Sequence, residues 1–139
     1  MSRIVIFGAG GRAGRHLVAE ALRRGHGVTG VVRDPARHRG VQGDVTDVAS
    51  VASTAQGHDV AICTVYQQET DHTAFYLSVA KALVEGLRQA NVKRLIVIGM
   101  DTSLDHPFAQ ARAAELAYLQ ANAGGLDWHF LVPPPVVLT

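Results

Sequence analysis

Residues 4–14 read Ile-Val-Ile-Phe-Gly-Ala-Gly-Gly-Arg-Ala-Gly, an apolar run that leads directly into a glycine-rich turn. The apolar run at 4–7 predicts a buried parallel strand, and Gly8 predicts a tight turn after it. Gly10, helped by Gly11, would let the backbone come close to a ligand. The amides at the start of the following helix would then face a phosphate group.

The spacing of the glycines supports the same interpretation. Gly8, Gly10 and Gly14 form G-x-G-x-x-x-G, one residue longer than the G-x-G-x-x-G dinucleotide motif. Gly14 would let the helix pack closely against the strand. Because the strand before the turn and the helix after it are the context that the motif requires, we favour a nucleotide-cofactor site over a tight turn alone.

Length and composition limit the class of protein. The 139 residues form one domain, 1–139, and contain 47% hydrophobic and 18% charged residues, as ordinary globular proteins do. A net charge of +1 gives no bulk attraction for nucleic acid or a membrane surface. Cys63, the single cysteine, lies in an apolar strand, which favours a core residue over a reactive thiol. No signal peptide and no run of about 20 apolar residues is visible, so we expect a cytoplasmic protein.

Strands alternate with helices along the chain. Apolar runs predict further strands at 28–32, 60–65, 95–98 and 128–132, with a short one at Val41. Apolar residues at intervals of three and four predict helices at 13–24, 48–55, 76–87 and 107–122. Asp71 or Thr73 would cap the third helix. The alternation predicts an α/β fold, a Rossmann-type doubly wound sheet of about six parallel strands with helices on both faces.

The end of the second strand bears on the choice of cofactor. An acidic residue there accepts hydrogen bonds from the ribose of NAD, whereas an arginine accommodates the 2′-phosphate of NADP. Arg33 comes first and Asp34 second, and a guanidinium is a bidentate phosphate ligand. Arg12 and Arg37 are further candidates. We therefore expect NADP(H), with NAD(H) as the alternative that Asp34 keeps open.

Several segments together resemble one family. They are 8–14, the Val-Thr-Gly-Val-Val-Arg-Asp-Pro of 28–35, the Val-Gln-Gly-Asp-Val-Thr-Asp of 41–47, and the longer stretches 81–99 and 126–134. The chain resembles the atypical short-chain dehydrogenase/reductases, and within them the NAD(P)H-binding, NmrA-like group that includes flavin reductase/biliverdin IX-beta reductase. The resemblance covers nearly the whole chain, but its motifs do not specify a substrate.

The resemblance implies roles for the matching positions. It places Arg33 at the 2′-phosphate, Asp44 with Val45 at the adenine edge, and Thr64 and Val65 beside the ribose and nicotinamide. Asp44 alternatively fits a loop carboxylate or a helix cap. The remaining cofactor-binding positions would be Gly8, Gly10, Gly11, Arg12, Ala13 and Gly14 at the pyrophosphate, and Pro133 with Pro134 beside the nicotinamide.

The chain lacks the Tyr-x-x-x-Lys motif, in which a lysine lowers the pKa of a tyrosine so that the phenol can donate a proton. Tyr118 is followed four residues later by Asn122, and Tyr76 by Ala80. Both tyrosines are better interpreted as packing residues. Hydride transfer to a flavin or quinone depends mostly on orientation, so reduction is still compatible with this sequence.

Catalytic candidates are weak. Thr102 and Ser103 follow the fifth strand, where open parallel sheets place reactive groups, but loop hydroxyls more often cap local backbone. His106 and His129 are better interpreted as structural. No spacing of His, Cys, Asp or Glu resembles a metal site.

These features predict an NADPH-dependent reductase that acts on a small planar acceptor such as a flavin, a quinone or a related enone. The alternative is a non-catalytic NADP(H)-binding module that senses redox state, which the missing proton donor favours. A third alternative is an isomerase or epimerase of nucleotide-linked substrates, which the missing Tyr-x-x-x-Lys motif disfavours. Relatives usually continue beyond the sixth strand, so we expect a substrate region that is short or absent in this chain. The partner is a small molecule, with no nucleic acid and no membrane, and the oligomeric state stays open.

Overall fold

The computed structural model describes residues 1–66 and 71–133, and these ranges form one parallel sheet flanked by helices. The strands are β1 (Arg3–Phe7), β2 (Gly27–Val32), β3 (Val41–Gln42), β4 (Val60–Cys63), β5 (Arg94–Ile98) and β6 (Asp127–Leu131). The helices are α1 (Arg12–Arg23), α2 (Val48–Ala55), α3 (His72–Gln89) and α4 (Pro107–Asn122). The expected α/β, Rossmann-type sheet is confirmed.

The strands lie in the order β3-β2-β1-β4-β5-β6, and each neighbouring pair is parallel. The chain builds outward from β1 to β2 and β3, and then returns to place β4 on the other side of β1. The loops after β1 and β4 therefore leave the same sheet edge in different directions. Such a reversal opens a crevice at the carboxyl ends of the strands, where ligands bind in open α/β sheets.

Strand β4 is shorter than the predicted strand at 60–65. Its partner β1 ends at Phe7, where the glycine turn begins, so the ladder loses its neighbour at that level. The amide of Thr64 still donates a hydrogen bond to the carbonyl of Phe7 at 3.0 Å. Thr64 and Val65 consequently lie in the loop that leaves the carboxyl edge of the sheet.

The helices cover the two faces of the sheet unequally. α1 packs on one face, against a small cluster that includes Ile4, Ile6 and Val32. α2, α3 and α4 contribute to the larger cluster on the opposite face. Right-handed crossovers require this division, because α1 connects strands added in one direction and the later helices connect strands added in the other.

Helix α3 forms the centre of the larger cluster. It begins after Asp71, whose carboxylate accepts the amide of Ala74 at 3.2 Å, so Asp71 rather than Thr73 is the cap. Tyr76, Leu83 and Leu87 are fully buried on the helix face that meets the sheet and its neighbours. This packing confirms that Tyr76 is a core residue.

Cys63, at the end of β4, is expected to be inert in the folded protein. Burial raises the pKa of its thiol to about 12, and only the thiolate is an effective nucleophile. We expect a disulfide reagent such as DTNB to modify the native chain far more slowly than the chain in guanidinium chloride. Modification of the native chain at the rate of free cysteine would show that Cys63 is accessible.

Candidate functional site

The glycine turn after β1 is fixed by close packing. Gly8 has a φ of +83°, a conformation that favours glycine, and a Cβ there would lie 3.0 Å from the amide nitrogen of Val65. A Cβ on Gly14 would collide with the carbonyl oxygen of Gly8. The turn, the loop after β4 and the start of α1 therefore meet at one point, and glycine is the residue that fits there.

The start of α1 is suited to an anion. Gly11 occupies the N-cap position and has no side chain that could accept the amides of the first turn. A Cβ on Gly11 would approach only the carbonyl oxygen of Gly8, at 3.6 Å, so this side of the turn is uncrowded. Unpaired amides and the positive end of the helix dipole attract phosphate groups. The residues present therefore fit the pyrophosphate of a dinucleotide.

A cleft of about 1040 Å³ extends from this turn along the carboxyl edge of the sheet. Most of the predicted cofactor residues line it: Gly8, Gly10, Gly11, Arg12, Ala13, Arg33, Asp44, Val45, Thr64 and Val65. Gly14 acts behind the wall as a packing contact. Pro133, which follows β6, lies outside the lining that the described residues form. Pro134 lies outside the described residues.

The side chains that bear on cofactor choice lie in different places. Arg33 lines the cleft directly after β2, and Arg12 lines it from the glycine turn. Asp34 instead belongs to the turn after β2, where its Oδ1 accepts the amide of Ala36 at 3.0 Å. Its carbonyl oxygen accepts the amide of Arg37 at 3.1 Å. Within the described residues, Arg37 is not part of the lining, so the structure brings Arg33 and Arg12 to the site.

His38 lines the same part of the cleft and was not predicted. A Cβ on Gly10 would lie 2.5 Å from Cγ of His38, so the imidazole rests directly on the glycine turn. No motif or spacing marks this residue in the sequence. Only the path of the connection between β2 and β3 brings it beside Gly10.

Asp44 lies on the cleft wall as a loop carboxylate. Its Oδ1 accepts the hydroxyl of Thr46 at 2.6 Å and the amide of Thr46 at 2.9 Å. The hydroxyl bond is the largest of the effects that lower the pKa of Asp44. The helix-cap interpretation of Asp44 was wrong, because Asp47 caps α2 by accepting the amide of Ala49 at 3.1 Å. Contact between Asp44 and an adenine edge stays a prediction.

Residues 98–100, at and after the end of β5, line the cleft. The catalytic candidates Thr102 and Ser103, which follow them, lie outside the lining that the described residues form. The hydroxyl of Ser103 donates to Oδ1 of Asp101 at 2.6 Å, and the amide of Ser103 donates to the same atom at 2.9 Å. Ser103 therefore stabilises its own loop. Thr102 belongs to the same loop, and a catalytic role for either hydroxyl finds no support in this geometry.

The two histidines predicted to be structural have local partners. Nδ1 of His106 accepts the amide of Phe108 at 3.0 Å and caps α4. Nε2 of His129 lies 3.1 Å from the carboxylate of Asp127 on the same strand. The His106 contact caps a helix and the His129 contact lies within β6, and both are compatible with the structural interpretation.

A buried ion pair in α4 was also not predicted. Nε of Arg112 donates to Oε1 of Glu115 at 2.6 Å, and the side chains are 6% and 1% exposed. Arg112 lines the cleft. Burial raises the pKa of Glu115 more than the attraction of Arg112 lowers it. The only sequence signal for this pair was the i,i+3 spacing of Arg112 and Glu115 in α4. That spacing is typical of ion pairs on exposed helix surfaces.

The described part of the chain has neither a metal-binding cluster nor a membrane-spanning helix. Among residues 1–66 and 71–133, no group of three His, Cys, Asp or Glu side chains could hold a metal ion. In the same ranges, each helix is too short or too polar to cross a bilayer.

The sequence pattern of a family described as NAD(P)H-binding matches residues 8–137. An isoflavone reductase homolog of maize is 29% identical, over 94% of this chain and 48% of the relative. The chain spans about half the length of the curated relatives it matches.

Solved structures give the same result for the fold. A protein of Burkholderia pseudomallei named as an exported protein is 35% identical, with a TM-score of 0.83 over 98% of this chain and 74% of that chain. A Streptococcus pneumoniae protein named as an NADH-flavin reductase is 22% identical, with a TM-score of 0.75 over 94% of this chain and 70% of that one. The glycine turn, the parallel sheet and the family match agree, and the chain therefore belongs to the NAD(P)H-binding family.

Proposed function

We propose that the protein is an NADPH-dependent reductase of a small planar acceptor such as a flavin, a quinone or a related enone. The observation that carries the proposal is one continuous cleft, which joins the phosphate-binding turn at Gly11 to the aromatic ring of Phe108. Bound NADPH would supply a hydride from its nicotinamide. The chain would supply orientation, by holding the cofactor at one end of the cleft and the acceptor at the other.

The preference for NADP(H) over NAD(H) rests on the residues after β2. Arg33 is exposed at the cleft, where a guanidinium can bind the 2′-phosphate with paired hydrogen bonds. The carboxylate of Asp34 already accepts a backbone amide of its own turn. Within the described residues, Asp34 is not part of the lining of the cleft, whereas Arg33 is.

The aromatic character of the far end supports a planar acceptor. Tyr66, Phe75 and Phe108 contribute to its lining, and aromatic rings favour stacked or tilted contacts with other rings. Relatives named as an isoflavone reductase homolog and an NADH-flavin reductase are consistent with such acceptors.

Replacement of Arg33 by alanine is expected to weaken NADPH binding by about 1.5 to 3 kcal/mol, the scale of a charge-assisted hydrogen bond. NADH has no 2′-phosphate, so its affinity should change little. Fluorescence titration of both nucleotides with native chain and Arg33→Ala measures the difference.

Arg37→Ala is the matched control, because Arg37 lies in the same connection but outside the described lining of the cleft. It removes an equal charge and should leave NADPH affinity nearly unchanged. Equal losses in both variants would indicate diffuse attraction rather than a 2′-phosphate site. No binding of either nucleotide to the native chain would overturn the proposed function.

A panel of flavins, quinones and enones then separates the reductase from a redox-sensing module. Acceptor-dependent oxidation of NADPH supports the reductase. Tight NADPH binding with no turnover on any acceptor would overturn it and favour the sensor.

A further inference from the structure

The cleft contains a buried cation, Arg112, in addition to the arginines near the glycine turn. Arg112 lies in the first half of α4 and is 5% exposed, yet it lines the cleft. Its Nη2 donates to the carbonyl of Ile98, at the end of β5, at 2.9 Å. The guanidinium is therefore anchored at the carboxyl edge of the sheet, where ligands of open α/β sheets are bound.

The contacts of Arg112 fix its plane and leave hydrogen-bonding capacity. Nε donates to Glu115 and Nη2 to Ile98, whereas Nη1 donates no hydrogen bond within residues 1–66 and 71–133. The guanidinium carbon lies 4.4 Å from the ring centroid of Tyr76, which is fully buried. An arginine held by an acid, a carbonyl and a ring is preorganised to donate to one further oxygen.

Aromatic side chains form the wall beside this cation. The rings of Tyr66 and Phe108 are tilted, with centroids 5.2 Å apart, and both residues line the cleft. Tyr66 is 61% exposed and lines the cleft. A planar ligand can therefore rest against aromatic surface while its polar edge reaches the guanidinium.

Phe108 and Arg112 in α4 cannot act as a proton-donating pair. Phe108 and Arg112 have the spacing of the tyrosine and lysine in Tyr-x-x-x-Lys, but a phenyl ring has no proton to donate. A guanidinium keeps its proton at all ordinary pH values. Arg112 is consequently suited to stabilise negative charge through a hydrogen bond, and not to transfer a proton.

We propose that Arg112 is a catalytic residue that donates a hydrogen bond to a carbonyl oxygen of the acceptor, so that the site selects quinones and enones whose oxygen becomes an oxyanion. This inference rests on the proposed function. A C–H bond of the NADPH nicotinamide would break and a bond from that hydride to the acceptor would form, so that NADPH is oxidised to NADP⁺ and the acceptor is reduced. The carbonyl π electrons would move to oxygen, and the oxyanion would take a proton from water. Preorganised donors aimed at such an oxygen account for large rate effects.

Equilibrium binding tests the donor without turnover. The probe is 2-hydroxy-1,4-naphthoquinone, a planar ring that carries an oxyanion at neutral pH, titrated by its visible absorbance with NADP⁺ present. We expect the bound probe to titrate at lower pH than the free probe, because Arg112 favours its anion. Arg112→Gln should abolish that shift and weaken binding at least about tenfold, and Arg112→Lys should restore part of both.

Two further variants separate this role from a structural one. Arg112→Met with Glu115→Leu removes both charges, so that no buried carboxylate is left without its partner. Arg88→Gln removes an exposed arginine that binds the carbonyls of Asn122 and Gly124, away from the cleft. The double variant should lose the pKa shift of the probe, and Arg88→Gln should keep it.

Turnover provides a second readout. Reduction of a quinone creates an oxyanion, whereas reduction of N-methylphenazinium by hydride neutralises a cation and creates none. The ratio of quinone to phenazinium kcat should fall roughly 100-fold in the Arg112 variants, the effect of losing one oxyanion donor. An unchanged ratio and an unchanged probe pKa in folded variants would overturn the inference and leave the reductase standing. If the native chain does not bind NADPH, the proposed function itself is overturned.

Discussion

Replacement of Glu115 by leucine is expected to destabilise the fold by about 3 to 5 kcal/mol, the cost of leaving a buried charge without its partner. Glu115 is 1% exposed and accepts Nε of Arg112 at 2.6 Å. In the variant, the guanidinium of Arg112 would keep its hydrogen bond to the carbonyl of Ile98 but lose its counter-ion. Urea unfolding followed by circular dichroism measures the change in the free energy of unfolding.

The double variant Arg112→Met/Glu115→Leu is the informative comparison. Burial already raises the pKa of Glu115, which shows that its charge is costly inside the protein. Replacing both partners by apolar side chains removes both desolvation costs, so the double variant should be close to the native chain in stability. Equal losses in the single and double variants would contradict this account and point to packing alone. Glu85→Gln, on the exposed side of α3, should have little effect.

Replacement of Gly14 by alanine is expected to cost about 3 kcal/mol, the upper part of the range for overpacking, and to weaken NADPH binding. The new Cβ would collide with the carbonyl oxygen of Gly8. Backbone cannot turn aside as a flexible side chain can, so α1 or the turn must shift. Either shift moves the amides at the start of α1, which we propose bind the phosphates. Chemical denaturation and NADPH titration measure the two effects.

Gly11→Ala separates these effects, because it adds the same methyl group in the same turn. Its Cβ would lie 3.6 Å from the carbonyl oxygen of Gly8, an ordinary contact. The backbone at Gly11, with φ −75°, suits any residue. Alanine is a poorer N-cap than glycine, so we expect a loss of at most about 1 kcal/mol, well below that of Gly14→Ala. If Gly11→Ala were as destabilising as Gly14→Ala, crowding against Gly8 would not be the cause.

Local patterns were sufficient for most of the fold. Local sequence is enough to predict the apolar run at 4–7, the glycines after it and the apolar face of α3. In such segments the spacing of apolar residues indicates which side chains are buried. Once strands alternate with helices, the handedness of crossovers limits the arrangement of the sheet. Arg33 could be predicted for the same reason, because the end of β2 has a known relation to the cofactor.

Contacts between distant segments could not be predicted in this way. The sequence places Asp34 directly after Arg33, and only the folded turn after β2 shows that Arg33 lines the cleft while Oδ1 of Asp34 accepts a backbone amide of its own turn. His38 reaches Gly10 only because the connection to β3 lies over the glycine turn.

The sequence by itself determined the order of the strands and helices along the chain, the glycine-rich turn after β1 and the membership of an NAD(P)H-binding family. The tertiary structure alone decided what stands at the far end of the cleft. Arg112 and Glu115 look like a solvent-exposed helical pair in α4, but packing against α3 and β5 buries them. Burial depends on which elements meet across the sheet, and no local spacing contains that information.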